Sequence, residues 1–192
     1  MTAFLLSAVV IFVAELGDKS QLMAMTFAAR YRVLPVLIGI TVATALVHLA
    51  SVAAGATVGS AFAEHQDAIS VVAGLAFLGF AAWTLRGDEL SDDEADKARL
   101  STGTAVLAVG TAFFLAELGD KTMLATITLA TREDWLGTWV GSTLGMVLAD
   151  ALAIVVGAVL GRHLPERTVR YAASASFVVF GLVLVAEGLG LF

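Results

Sequence analysis

The 192-residue sequence contains no cysteine, which excludes disulfides, thiolate metal sites and cysteine nucleophiles. Any metal bound here must be held by oxygen or imidazole. Charge is scarce as well: 15% of the residues are Asp, Glu, Lys or Arg, against about 25% in an ordinary soluble domain. With a hydrophobic share of 59% and a mean hydropathy of +0.91, a soluble globular protein is excluded. Basic residues number 11 against 17 acidic ones, for a net charge of −6, so there is no broad basic surface for nucleic acid. The start of the chain, Met1-Thr2-Ala3-Phe4-Leu5-Leu6, lacks the basic n-region and small-residue cleavage site of a secretory signal. It reads as the beginning of a first membrane span.

What the sequence does have is apolar runs. A helix that crosses a bilayer needs about 20 largely apolar residues, and six runs qualify: 3–29, 34–60, 68–85, 103–131, 136–161 and 169–191. The expected fold class is therefore an all-α membrane protein with six transmembrane helices. Basic residues in the connecting segments set the orientation. Arg30, Arg32, Arg86, Lys97, Arg99, Arg162, Arg167 and Arg170 fall on the side reached after spans one, three and five, whereas Arg132 stands alone on the other. That bias places the central loop in the cytoplasm and both termini outside a cell membrane. Nine of the 28 charged residues lie between Arg86 and Arg99, and this acidic stretch reads as a solvated linker.

Aligning the chain with itself at an offset of 102 exposes a duplication. Ala14-Glu15-Leu16-Gly17-Asp18-Lys19-Ser20 falls on Ala116-Glu117-Leu118-Gly119-Asp120-Lys121-Thr122, with six of seven pairs identical. The register continues through Leu22/Leu124, Thr26/Thr128, Arg30/Arg132, Gly39/Gly141, Thr41/Thr143, Gly55/Gly157, Gly59/Gly161 and Gly79/Gly181. One constant offset across three spans implies a three-helix unit present twice: repeat 1 over 1–86, a linker over 87–101 and repeat 2 over 102–192. Because three is odd, the second copy must enter the membrane from the opposite side, giving two inverted repeats, a recurrent transporter architecture. The small-xxx-small pairs Gly55/Gly59 and Gly157/Gly161 read as close helix packing.

The motif acids fall near the middle of spans one and four. A charged residue at that depth costs at least about 2.5 kcal/mol, and two lysines cannot neutralise four carboxylates, so helix locking alone does not account for them. Glu and Asp at i and i+3 share a helix face. Gly17 and Gly119 make a local helix break affordable, and broken helices expose carbonyls that coordinate cations. Glu15, Asp18, Glu117 and Asp120, flanked by the hydroxyls of Ser20 and Thr122, thus form a candidate site for a hard divalent cation. The same offset pairs His48 with Asp150, which become candidates for further ligands or a proton relay. Imidazole favours a transition metal over Ca²⁺. Thr41, Thr44, His48, Ser51 and Gly55 form a polar stripe expected to face an interface or a wet cavity. Lys19 and Lys121 are assigned to charge balance or gating. Met23 and Met25 read as packing, Trp83, Trp135 and Trp139 as headgroup anchors, and Glu187 as interfacial.

The five acids and two lysines sum to −3, and one divalent cation brings the site to −1. Without metal, clustered like charges in low dielectric take up protons, so metal and protons compete for the same groups. If only the metal-loaded and the protonated site let the halves rock, exchange is obligatory.

The duplicated motif Glu-x-Gly-Asp-(Lys/Arg)-(Ser/Thr), present here as Glu15-Leu16-Gly17-Asp18-Lys19-Ser20 and Glu117-Leu118-Gly119-Asp120-Lys121-Thr122, resembles that of the Gdt-type cation/proton exchangers. The resemblance covers essentially the whole chain. It implies export of Mn²⁺ or Ca²⁺ from the cytosol in exchange for protons, with the motif acids as the cation site, and bacterial members tilt the choice to Mn²⁺. The implied partners are divalent metal ions, protons and the lipid bilayer, with a homo-oligomer left open and no resident cofactor expected. Ser20-Gln21 against Thr122-Met123 is the one departure from symmetry within the motif region. An amino-acid or small-metabolite exporter is the nearest rival, although four mid-membrane carboxylates suit a cation better. A channel would pass current uncoupled from protons. An intramembrane hydrolase would need distinct acid and base roles, which symmetric acids do not offer.

Overall fold

In lipid, every backbone N–H and C=O needs an internal partner, which restricts an apolar run to helix. In the computed structural model, residues 1–86, 104–160 and 166–191 are described, and all regular structure among them is helical. The acidic linker expected over 87–101 lies outside the described residues. The helices are α1 (Thr2–Glu15), α2 (Lys19–Ala28), α3 (Val33–Ala61), α4 (Gln66–Arg86), α5 (Ala105–Glu117), α6 (Lys121–Ala130), α7 (Trp135–Leu160) and α8 (Glu166–Gly188), with a 3₁₀ turn at Ala63–His65 before α4. Four of these segments are long and apolar enough to cross a membrane: Val33–Ala61, Ala63–Arg86, Trp135–Ala158 and Tyr171–Gly188. The first and fourth expected spans are each made of two shorter helices, α1 with α2 and α5 with α6.

The broken helices lie along the long ones. Helix α7 follows α1 and then α2: a Cβ at Gly141 would overlap the Phe4 carbonyl, and one at Gly157 would stand 2.7 Å from Met25 Sδ. Helix α3 follows α5 and then α6 in the same way, with a Cβ at Gly39 2.9 Å from the Val106 carbonyl oxygen and one at Gly55 overlapping the Ile127 carbonyl. Phe4/Val106, Met25/Ile127, Gly39/Gly141 and Gly55/Gly157 are all pairs at the offset of 102. Each repeat therefore makes the same backbone-close contact with the other. Helices α4 and α8 pack together through Gly74 and Gly181, the hydrogen bond from Ser174 Oγ to the Ala81 carbonyl at 3.0 Å and the rings of Phe77, Phe80 and Phe177. Gly55 and Gly59 act as packing residues, against Ile127 and Thr131; Gly161 lies outside the described residues.

Two expectations need correction. Trp139, expected as a headgroup anchor, donates its indole N–H to the Ala45 carbonyl at 2.9 Å. It stitches α7 to α3 because it sits a full turn inside a helix that starts at Trp135. Thr41 leaves the polar stripe: it is exposed, and its hydroxyl bonds back to the Leu37 carbonyl at 2.7 Å, which satisfies the group without a wet neighbour. Thr44, His48, Ser51 and Gly55 are buried. Met23 is buried beside Phe27 in an apolar cluster. Glu187 forms an ion pair with Arg132 at 2.6 Å, which puts the α6–α7 turn and the end of α8 on one face.

Candidate cation and proton site

Helix α1 ends at Glu15, Leu16 turns extended, Gly17 takes φ +75°, and Asp18 opens α2 as its N-cap residue. The second copy repeats this: α5 ends at Glu117, Leu118 is extended, Gly119 takes φ +82°, and Asp120 caps α6. A left-handed residue between two helices is a place where glycine is the default, having no Cβ to clash. The breaks also leave helix-terminal carbonyls and N–H groups without intrahelical partners. Some are used locally. The Asp18 N–H donates to the Glu15 carbonyl at 3.1 Å and the Asp120 N–H to the Glu117 carbonyl at 3.2 Å.

Glu15, Asp18, Glu117, Asp120, Ser20 and Thr122 are all buried. Ser20 Oγ donates to Glu15 Oε1, and its counterpart Thr122 Oγ1 donates to Glu117 Oε2 at 3.1 Å. The other oxygens, Glu15 Oε2 and Glu117 Oε1, have no hydrogen-bond partner among the described residues. The lysines reach across the repeats. Lys121 Nζ donates to Asp18 Oδ1, and Lys19 Nζ lies 3.7 Å from Asp120 Oδ1. The two pairs are not equal, since the Lys121 side chain is 4% exposed and that of Lys19 is 19%. Glu15 lies within electrostatic reach of Asp18, Glu117, Asp150 and Asp120, so both motif copies bring their acids into one interior region. Among the described residues, no three His, Asp or Glu side chains converge tightly enough to grip one metal ion as they stand. The aspartates are turned toward lysines of the opposite repeat instead.

Asp150 joins this region from α7. It is fully buried and lies within electrostatic reach of Asp18. Its neighbour Ala149 accepts a hydrogen bond from Gln21 Nε2 at 2.8 Å, and Gln21 Oε1 accepts the Gly17 N–H at 2.8 Å. Gln21 thus ties the first break to α7, a role the sequence reading missed. The available signal was an amide one residue beyond the motif, at the start of an apolar run. At the second break Met123 takes the equivalent place, its Sδ accepting the Gly119 N–H at 3.1 Å.

His48 lies level with the second break. Gly55 packs on Ile127 and Ala130, and Gly59 on Thr131, so α3 and α6 advance in the same direction. Two turns before Gly55, and on the same face because seven residues nearly complete two turns, stands His48. Two turns before Ile127 and Ala130 lie Asp120 to Met123. His48 is fully buried, and neither ring nitrogen has a hydrogen-bond partner among the described residues. The same holds for both carboxylate oxygens of Asp150.

Comparisons with known proteins place the chain in a family. The family model described as "Divalent cation/proton antiporter GDT1" matches residues 3–92 and 105–191. A protein of Vibrio cholerae serotype O1 named "Putative manganese exporter" is 36% identical over 135 residues, covering 69% of this chain and 64% of its own length. "Protein PAM71, chloroplastic" of Arabidopsis thaliana is 29% identical over 211 residues, covering 97% of this chain and 56% of its own. "GDT1-like protein 2, chloroplastic" of Oryza sativa subsp. japonica is 30% identical over 208 residues, covering 94% and 60%. The chain thus spans 56–64% of the length of these relatives. No solved structure matches it. A family match over both repeats, including both acidic breaks, shows that the chain belongs to the GDT1 family of divalent cation/proton antiporters.

Proposed function

We infer that this chain exports Mn²⁺ or Ca²⁺ from the cytosol in exchange for protons, working by alternating access between two inverted three-helix repeats. The observation that carries the reading is the pair of helix breaks, which brings four buried acids from the two repeats into one interior region. Membership of a transporter family removes the hydrolase alternative. Partly apolar spans alone would serve an amino-acid exporter too, but buried carboxylates on both repeats suit a cationic solute.

In this reading Glu15, Asp18, Glu117 and Asp120 bind either the cation or protons, Ser20 and Thr122 steady the glutamates, and Asp150 and His48 complete the two sides. Lys121 and Lys19 balance Asp18 and Asp120 across the repeats while no cation is bound, and an arriving cation displaces the ammonium groups from the aspartates. The ionised site without a cation carries too much negative charge to cross low dielectric, so the repeats rock only when metal-loaded or protonated. The equivalent packing of α1 on α7 and α3 on α5 supports the inverted repeat, because each half sees the other through the same surface. The basic residues put the 87–101 linker in the cytoplasm, both termini outside and the chain in the cell membrane. The relative from Vibrio cholerae tilts the ion to Mn²⁺.

Proteoliposomes with an imposed pH gradient test this. Added Mn²⁺ or Ca²⁺ should dissipate the gradient and amino acids should not. Glu15→Gln, Asp18→Asn, Glu117→Gln and Asp120→Asn should each abolish or strongly weaken the flux while leaving membrane insertion intact. Metal flux that neither drives nor follows protons would defeat the antiport reading, and full activity of both aspartate variants would defeat the site.

A further inference from the structure

The two breaks are alike in backbone and unlike in ligand chemistry. Around the first stand Glu15, Asp18, Ser20, Gln21 and Asp150, a set whose donor atoms to a cation are all oxygen. Around the second stand Glu117, Asp120, Thr122, Met123 and His48, a set that includes a thioether sulfur, here bonded to the Gly119 N–H, and an imidazole. At the one place where the repeats differ most in chemistry, the offset of 102 sets His48 against Asp150.

We propose that His48 is the ion-discriminating ligand of this protein: its imidazole nitrogen coordinates the transported cation at the second break and selects Mn²⁺ over Ca²⁺. The proposal rests on the antiport reading above and concerns how that same site chooses its ion. His48 is fully buried, both ring nitrogens are without a hydrogen-bond partner among the described residues, and the α3–α6 register, fixed by Gly55 and Gly59, sets it level with Asp120 to Met123. A buried imidazole normally has a partner for each nitrogen; one left without any is set up to donate a lone pair. Ca²⁺ takes oxygen ligands, whereas first-row divalent ions accept imidazole nitrogen. Asp150 at the equivalent position would serve either ion, so the oxygen-only first break recruits a divalent cation and the second sorts it.

The test uses the full-length protein in nanodiscs for binding and in proteoliposomes for flux. Pulsed electron paramagnetic resonance of the Mn²⁺-loaded wild type should show ¹⁴N coupling from a coordinated imidazole, and His48→Asp and His48→Gln should lose it. His48→Asp, which makes the two breaks alike, should lower the Mn²⁺:Ca²⁺ preference, read from metal binding in nanodiscs, by about tenfold or more, the range over which a changed metal environment acts. Bound Mn²⁺ without ¹⁴N coupling in the wild type overturns the proposal, and that spectrum needs no variant to fold. An unchanged ion preference in both variants overturns it as well. In either case, metal-driven proton flux in the wild type leaves the antiport reading standing. If ¹⁴N coupling is present but proton flux is absent, the antiport reading fails and the ligand assignment survives.

Discussion

Lys121 and Lys19 occupy equivalent motif positions, yet their surroundings differ in a way that can be measured. The Lys121–Asp18 pair is buried on both sides, whereas Lys19 stands 3.7 Å from Asp120 with a side chain 19% exposed. Removing one partner of a buried pair strands the other charge and costs about 3–5 kcal/mol. Water screens a partly exposed pair, so its loss costs less. Lys121→Met should therefore destabilise the purified protein by about 3–5 kcal/mol and clearly more than Lys19→Met, as measured by unfolding in a single detergent. Adding Asp18→Asn to Lys121→Met should recover part of the loss, because no stranded charge then remains. Equal losses for the two lysines would show that the pairs are equivalent in the membrane protein. The motif acids, hydroxyls and lysines were all legible as a set in the sequence. The crosswise pairing was not, because it depends on contacts more than a hundred residues apart along the chain. Gln21 stands out in the sequence as a departure from the repeat, but its tie to the backbone of Ala149 was hidden for the same reason.

At the scale of elements, the long helices were the most legible. The runs 34–60 and 68–85 became Val33–Ala61 and Gln66–Arg86, and 136–161 became Trp135–Leu160, because an apolar run in lipid has no other way to satisfy its backbone. Hydropathy did not separate α1 from α2 or α5 from α6, since the residues on both sides of each break are apolar; only the glycine inside each motif marked the place. Gly119 permits a direct test. Nothing lies within 4 Å of a Cβ built on it, so packing does not require glycine there and its φ of +82° alone does. Gly119→Ala should lower stability by about 1–2 kcal/mol, the cost of a left-handed L-residue, and Gly119→Asn by less, since asparagine tolerates that region. Gly141→Ala should also destabilise, but through overlap with the Phe4 carbonyl. Gly141→Asn should then be worse than Gly141→Ala, the reverse of the order at Gly119. Thermal unfolding of the four variants distinguishes a conformational glycine from a packing one.

For the whole molecule, the decisive question is whether the two repeats face opposite sides of the membrane. The equivalent turns that join the second and third helices of each repeat, α2 to α3 and α6 to α7, carry opposite charge: Arg30-Tyr31-Arg32 against Arg132-Glu133-Asp134. In an inverted repeat they lie on opposite faces, the first inside and the second outside by the positive-inside bias. In a parallel duplication they would share a face, and the charge difference would have no topological meaning. The ion pair of Arg132 with Glu187 puts the end of α8 on the same face as the α6–α7 turn, as an even number of crossings between them requires. The chain has no cysteine, so single introduced thiols report without background. Glu133→Cys should react with a membrane-impermeant maleimide in intact cells, and Ala29→Cys, in the α2–α3 turn, only after permeabilisation. Labelling of both from the same side would remove the inverted repeat and, with it, the route by which one site alternates between two faces. Labelling from opposite sides but in the reverse sense would keep the repeat and exchange the two faces, with the direction of transport still set by the proton and cation gradients rather than by the insertion.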